Sequence, residues 1–334
     1  MLLMAAGIVA LLVVNVAVGS VPVPMDDVLN LFAGDAVSQP DMETVWRGIV
    51  MKSRLPQALT ALLCGAGLSV AGLQMQTVFR NPLAGPSVLG VSSGASLGVA
   101  LLVLLSGTVG GRALSRMGLY GDVAVTAGAA VGALLVMALI AVVAQRVRGN
   151  VTLLIVGVMI GYMANAVIGV LKYFSAAEDI QAYTIWGLGS FGSVSSSQIG
   201  VFAVAMAVLL PLAALLTKPL NLMLLGEEYA QNLGLNVRRA RMEIIVSSGL
   251  LVAVCTAFCG PISFLGLAVP HLCRGLLRTT DHRLLLPGSL LMGALLALAC
   301  NLIARLPGAE GALPVNSVTS LIGAPVVIWV LFRK

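Results

Sequence analysis

Nucleotide hydrolysis by a P-loop needs a lysine directly after a glycine, so that backbone amides and an ammonium hold the phosphates together. The four lysines, Lys52, Lys172, Lys218 and Lys334, each follow some other residue. The chain therefore cannot hydrolyse ATP by that chemistry. Catalysis inside a membrane needs a nucleophile beside a base, or a cluster of metal ligands. The two histidines, His271 and His282, supply neither. His271, placed directly after Pro270, reads as structural. The five cysteines, Cys64, Cys255, Cys259, Cys273 and Cys300, are odd in number and lack CxxC spacing. They read as small buried hydrophobes. No catalytic residue, metal ligand or bound cofactor is expected.

Composition decides the class of the elements that carry these side chains. Of 334 residues, 59% are apolar and only 10% charged, and the mean hydropathy is +1.04. Soluble domains carry about 25% charged residues, so a water-facing globule is excluded. The 19 lysines and arginines are scattered in ones, twos and threes. That pattern encodes membrane topology and gives no phosphate-binding face for nucleic acid. Charge-free intervals run over 1–25, 55–79, 81–111, 123–145, 149–171, 180–217, 244–273, 284–304 and 311–332. Each charge at a helix centre costs roughly 2.5–3.5 kcal/mol on insertion scales, so these intervals are the crossings. Together with its lead-in from Val237, the stretch to 273 is long enough for two spans broken at Gly260-Pro261. The interval 180–217 holds one span, because Trp186 to Gly192 is too glycine-rich to propagate a helix. The fold expected is an all-α polytopic membrane protein of ten transmembrane helices in one domain, 1–334. Residues 1–25 lack Lys and Arg, so the first run reads as a retained span and not as a leader.

Basic residues set the orientation. One set of helix ends collects twelve of them, among them Arg80, Arg146, Arg238, Arg239, Arg241 and Arg274, against four acids. The two sides carry net charges of +8 and −2, which puts the first set, and both termini, in the cytoplasm. No span holds an ionisable group near its middle; Lys172, Asp122 and Glu243 sit at ends. Ion-coupled carriers need such groups, so the energy for any transport must come from outside the chain. Gly90, Gly94 and Gly98, then Gly128 and Gly132, then Gly157 and Gly161, fall at GxxxG spacing and mark helix-contact faces. The run Gly85-Pro86-Ser87-Val88-Leu89-Gly90 has an echo in Gly260 to Gly266 on the opposite side. An inverted repeat produces such an echo.

The most informative polar segment is Leu222 to Gly234, within a loop at about 219–237. It reads as a short cytoplasmic helix, with Glu227 and Glu228 in its first turn, followed by a turn and the basic start of span seven. An amphipathic helix lying on the bilayer is the competing reading. Glu228-Tyr229-Ala230, three residues and Gly234 resemble the E-A-A-x-x-x-G motif by which bacterial ABC importer permeases dock on their ATPase. Further segments follow in order: Arg54-Leu55-Pro56, Gln76 to Pro86 (QTVFRNPLAGP), Gly260 to His271 with Arg274, Leu313-Pro314, and Leu321 to Pro325. From about residue 50 to the C-terminus the chain resembles the FecCD family, permease subunits of ABC importers for iron-siderophores, haem and vitamin B12.

The resemblance implies ten helices with spans 2–5 repeated inversely as 7–10 and a homodimer around a central pathway in a bacterial inner membrane. It also implies two cytoplasmic ATPase subunits that use ATP-Mg, and a substrate-binding protein docking outside. Carried over residue by residue, it assigns ATPase coupling to Leu225, Gly226, Glu227, Glu228, Ala230, Leu233 and Gly234. Arg54 and Arg305 match arginines that dock the binding protein; a further family arginine is replaced by Gln57, with Arg47 and Lys52 available as substitutes, and anchoring of helix ends at the membrane interface is the alternative reading. The cytoplasmic gate falls on Asn81 and Leu83, with Gly149 and Asn150, although Asn81-Pro82 also reads as a turn. Along span five, Met159, Tyr162, Met163 and Asn165 line a pathway or, alternatively, pack in the core. A secondary transporter or channel working alone is the second functional reading.

Overall fold

Long apolar runs punctuated by Gly, Pro and charged residues give helices throughout. The computed structural model describes residues 1–19, 21–33, 37–109, 119–146, 150–305 and 313–332, and among them no strand occurs. In chain order the helices are α1 (Leu2–Ala17), α2 (Met25–Ala33), α3 (Glu43–Arg47), α4 (Leu55–Phe79) and α5 (Val91–Val109). Then come α6 (Leu119–Arg146), α7 (Asn150–Phe174), α8 (Ala177–Gly187), α9 (Ile199–Leu215) and α10 (Thr217–Leu224). The chain closes with α11 (Glu227–Asn232), α12 (Val237–Cys259), α13 (Leu265–Leu277), α14 (His282–Ala304) and α15 (Val315–Phe332).

Five helical stretches of the described residues are long and apolar enough to cross a membrane, in α4, α6, α7, α12 and α14, and α9 with α10, bent by 43°, makes a sixth. Shorter apolar helices α1, α5, α13 and α15 fall on the other expected spans. The break expected at Gly260-Pro261 is present: α12 stops at Cys259 and α13 starts at Leu265. Backbone groups freed there are bonded again, Ser190 N to Cys259 O at 2.8 Å and Ser263 N to Asn316 Oδ1 at 3.0 Å, as irregular chain at membrane depth requires. The glycine-rich stretch after Trp186 likewise separates the short α8 from α9.

α4 is the central element, packed on α1, α9, α12, α13 and α14. Its helix begins earlier than the sequence suggests, since Pro40–Phe79 is one continuous helical stretch. Gly48–Arg54 widens into a π-helix, where Leu55 N reaches back five residues to Val50 O. Pro56, two residues on, has no N–H to give, so a wider turn upstream passes the proline without a break.

Helix contact in the bilayer comes from close backbone approach, and the glycines deliver it. A Cβ on Gly98 would lie 2.1 Å from Gly128 O and one on Gly132 would lie 2.2 Å from Gly94 O, so the expected faces of α5 and α6 meet. The tightest crossing is one the sequence did not disclose, Gly72 of α4 against Gly266 of α13, where a Cβ would stand 1.7 Å from the carbonyl oxygen. The pairing of helices is also mirrored. α4 packs on α13 and α14 as α12 packs on α5 and α6, and α5 on α6 and α7 as α13 on α14 and α15. That is the contact pattern of an inverted repeat of spans 2–5 on 7–10.

Candidate functional site

α9 and α10 deliver the chain to the basic end of the bundle, where α10, Leu225-Gly226 and α11 form a hook. Sequence periodicity predicts one helix here; the structure has two, because Gly226 sits at φ +115 and interrupts it. Gly234, at φ +85, supplies the expected turn into α12. The inner side of the hook is anchored by Leu220, Met223 and Ala230, all buried. Its outer side presents Leu225 at 59%, Tyr229 at 69% and Leu233 at 60% exposure. Leu224 is also exposed. Four apolar side chains thus face outward from a polar end.

The hook is held firmly. Arg241 Nη2 bonds Glu227 Oε1 at 2.5 Å, so Glu227 ties α11 to α12, whereas Glu228 is exposed. Asn221 Nδ2 donates to Asp281 Oδ1 at 2.6 Å, and its Oδ1 accepts from His282 N at 2.8 Å and from His282 Nδ1 at 2.9 Å. His282 Nε2 lies 2.8 Å from Thr77 Oγ1 of α4. Hydrogen bonds from the Arg283 amide and then from Asn221 hold the Asp281 carboxyl below its ordinary value.

Beside the hook, α4 ends on Arg80 in the left-handed region, φ 47, and Asn81 N closes the turn on Gln76 O at 3.2 Å. Asn81 Oδ1 accepts from Leu83 N at 2.9 Å, and Leu83 is exposed. Arg80 Nη2 donates to Met223 O at 3.2 Å, which fastens this turn directly to the hook. From the other side His271 Nε2 donates to Pro82 O at 2.8 Å, and Arg274 Nη1 donates to Gln76 Oε1 at 2.6 Å. His271 therefore holds the turn in place. Gly149 lies outside the described residues, as does the side chain of Asn150, which begins α7. Met159, Tyr162, Met163 and Asn165 all lie on the exposed side of α7.

At the opposite end the expectation for Arg54 needs correction. Its exposure is 1%, and Nη1 donates to Val16 O at 3.1 Å and Ala17 O at 2.7 Å while Nη2 donates to Val21 O. A guanidinium committed to three carbonyls cannot present itself to a partner; it pins the end of α1 onto the bundle. Arg305 is half-buried beside it, with burial pulling its pKa down, and a Cβ on Gly19 would lie 2.9 Å from both side chains. Arg47 is exposed and pairs with Glu43 at 3.1 Å. We expect Arg54→Gln to lower the thermal midpoint in detergent, since orphaned buried acceptors cost about 1–3 kcal/mol, and Arg47→Gln to leave it unchanged. An unchanged midpoint for Arg54→Gln, with weaker association of an external partner, would return Arg54 to a docking role.

Sequence reading thus located the segment Leu222 to Gly234 and the alternative of a turn at Asn81-Pro82. It missed Tyr229 as the most exposed apolar group of the hook, and Arg80, Asn221 and His282 as its fasteners. An apolar residue in a loop flanked by acids was the available signal for Tyr229. Nothing local marks the other three.

The profile of the FecCD transport family matches residues 7–333. The hemin transport system permease protein HmuU of Yersinia pestis is 37% identical over 296 residues, covering 87% of this chain and 85% of that protein. The vitamin B12 import system permease protein BtuC of Salmonella paratyphi A is 38% identical over 309 residues, covering 92% and 91%. A solved structure described as an inward-facing conformation of a metal-chelate type ABC transporter superposes with a TM-score of 0.82 at 28% identity, covering 99% of this chain and 98% of that one.

Proposed function

The chain belongs to the FecCD transport family, and from that membership we propose that it is the membrane-spanning permease subunit of an ATP-binding cassette importer. It is a multi-pass protein of the inner membrane, with both termini on the cytoplasmic side. Its cargo is an iron(III)-siderophore, haem or cobalamin, handed over by a substrate-binding protein outside. Two copies form the pathway, between the exposed sides of α7 that carry Met159, Tyr162, Met163 and Asn165. The subunit is a single translocation domain without an ATPase site; two partner subunits on the cytoplasmic face use ATP-Mg. Arg47 and Arg305 remain as candidates on the outer, binding-protein side.

One observation carries this reading: an exposed apolar face, Leu225, Tyr229 and Leu233, on a hook held rigidly at the basic end. Leaving such a face in water is unfavourable unless a partner covers it. The ATPase is that partner, and the Arg80 to Met223 bond passes its movement to the gate at Asn81 and Leu83. Alone, the chain has no means to drive transport. Co-expression with a cassette ATPase of the same organism should yield a complex of two permeases and two ATPases through size exclusion. Recovery of only the free subunits would count against the reading.

A further inference from the structure

Next to the hook, a cleft of about 480 Å³ opens between the end of α6, the start of α12 and α11. Its walls carry Gln145, Arg146, Gln231, Arg238 and Arg241, with Glu227. The nearby acids are already matched: Glu227 to Arg241 at 2.5 Å and Glu243 to Arg239 at 2.8 Å. Among the described residues no carboxylate pairs with Arg146 or Arg238, both exposed. Arg238 is aimed across the cleft by donating Nη2 to Gln145 O. The start of α12, capped by Asn236, adds the positive end of a long helix dipole to the same space. The arrangement suits one anionic group with several oxygens.

We propose that this cleft holds the phosphate of an anionic phospholipid. The level of the site selects a lipid over a soluble phosphate. α6 is charge-free above the cleft, and Leu135, Leu139 and Val142 are exposed along it at spacings of four and three residues, one continuous strip in a helix. An acyl chain lies along that strip while its headgroup meets Arg146 and Arg238, which is how basic pockets at the cytoplasmic ends of spans recognise acidic lipids. Because Glu227 and Gln231 of α11 form one wall, the lipid braces the hook from the membrane side and leaves Leu225 and Tyr229 facing outward. Binding requires no ATPase and no cargo, so its test stands apart from the importer reading.

Purified full-length chain is exchanged into phosphatidylcholine nanodiscs doped with phosphatidylglycerol, and the lipid retained after detergent extraction is counted by native mass spectrometry. Wild type is expected to keep phosphatidylglycerol selectively, undisturbed by excess inorganic phosphate. Arg146→Gln, at an exposed helix end, should lower retention about tenfold, in line with the loss of one charge-assisted bond. Arg238→Gln should act in the same direction, while Arg283→Gln, the same charge change elsewhere at the basic end, should not. Retention unaffected by Arg146→Gln, equal loss with Arg283→Gln, or displacement by inorganic phosphate would each overturn the assignment. Should Arg238→Gln fail to fold, the Arg146 and Arg283 variants decide alone.

Discussion

Leu225→Asp should abolish stimulated ATP hydrolysis in the reconstituted importer while leaving the permease folded. Leu225 is 59% exposed, so the substitution disturbs little within the chain. Covering a leucine fully in a docked interface is worth about 1.5–3 kcal/mol, and a carboxylate in its place adds a desolvation cost. With tenfold in affinity for each ~1.4 kcal/mol, ATPase binding should weaken by more than about tenfold. Tyr229→Asp should behave alike, and Leu225→Met should be nearly silent. Gly234→Val should also impair coupling, by another route: no atom lies within 4 Å of a Cβ there, yet φ is +85, so the strain is in the backbone. Size exclusion of the variant with its ATPase, together with phosphate release in proteoliposomes, reads both quantities. Wild-type stimulation by Leu225→Asp would remove the hook from the coupling interface.

The second large effect concerns stability. Gly72→Val should prevent accumulation of folded protein, because the new Cβ would stand 1.7 Å from Gly266 O, a backbone atom that cannot rotate away. Overpacking costs typically about 1–3 kcal/mol where side chains can adjust; here α4 and α13 must separate along their length, and the cost exceeds that range. Gly169→Val is the control, since nothing lies within 4 Å of its Cβ position. Fluorescence-detected size exclusion after mild solubilisation should show a monodisperse peak for Gly169→Val and aggregate for Gly72→Val. A folded Gly72→Val would mean that the α4–α13 crossing is looser than this geometry.

What the sequence disclosed follows from how local each signal is. Charges marked helix ends, because a bilayer excludes them wherever they fall, and Gly260-Pro261 marked a broken span by its own chemistry. GxxxG spacing located the α5–α6 contact, whose two faces are close in the chain. The Gly72–Gly266 and Gly65–Gly293 crossings were hidden, since isolated glycines far apart in sequence say nothing of which helices meet. Arg54 was misjudged for a related reason. Its partners are the carbonyls of Val16, Ala17 and Val21, and a carbonyl has no sequence signature. The break at Gly226 was masked by apolar periodicity that continues through it, and the roles of Asn221 and His282 depend on α10 meeting α14, which only the fold brings about.

A passive conduit worked by a cassette ATPase docked on its hook moves cargo only in that partner's company. Proteoliposomes carrying this chain alone, or with a partner ATPase, are given radiolabelled chelate presented on a substrate-binding protein. Accumulation against a gradient only when both ATP and the ATPase are present is the result predicted. Accumulation by the chain alone would contradict it.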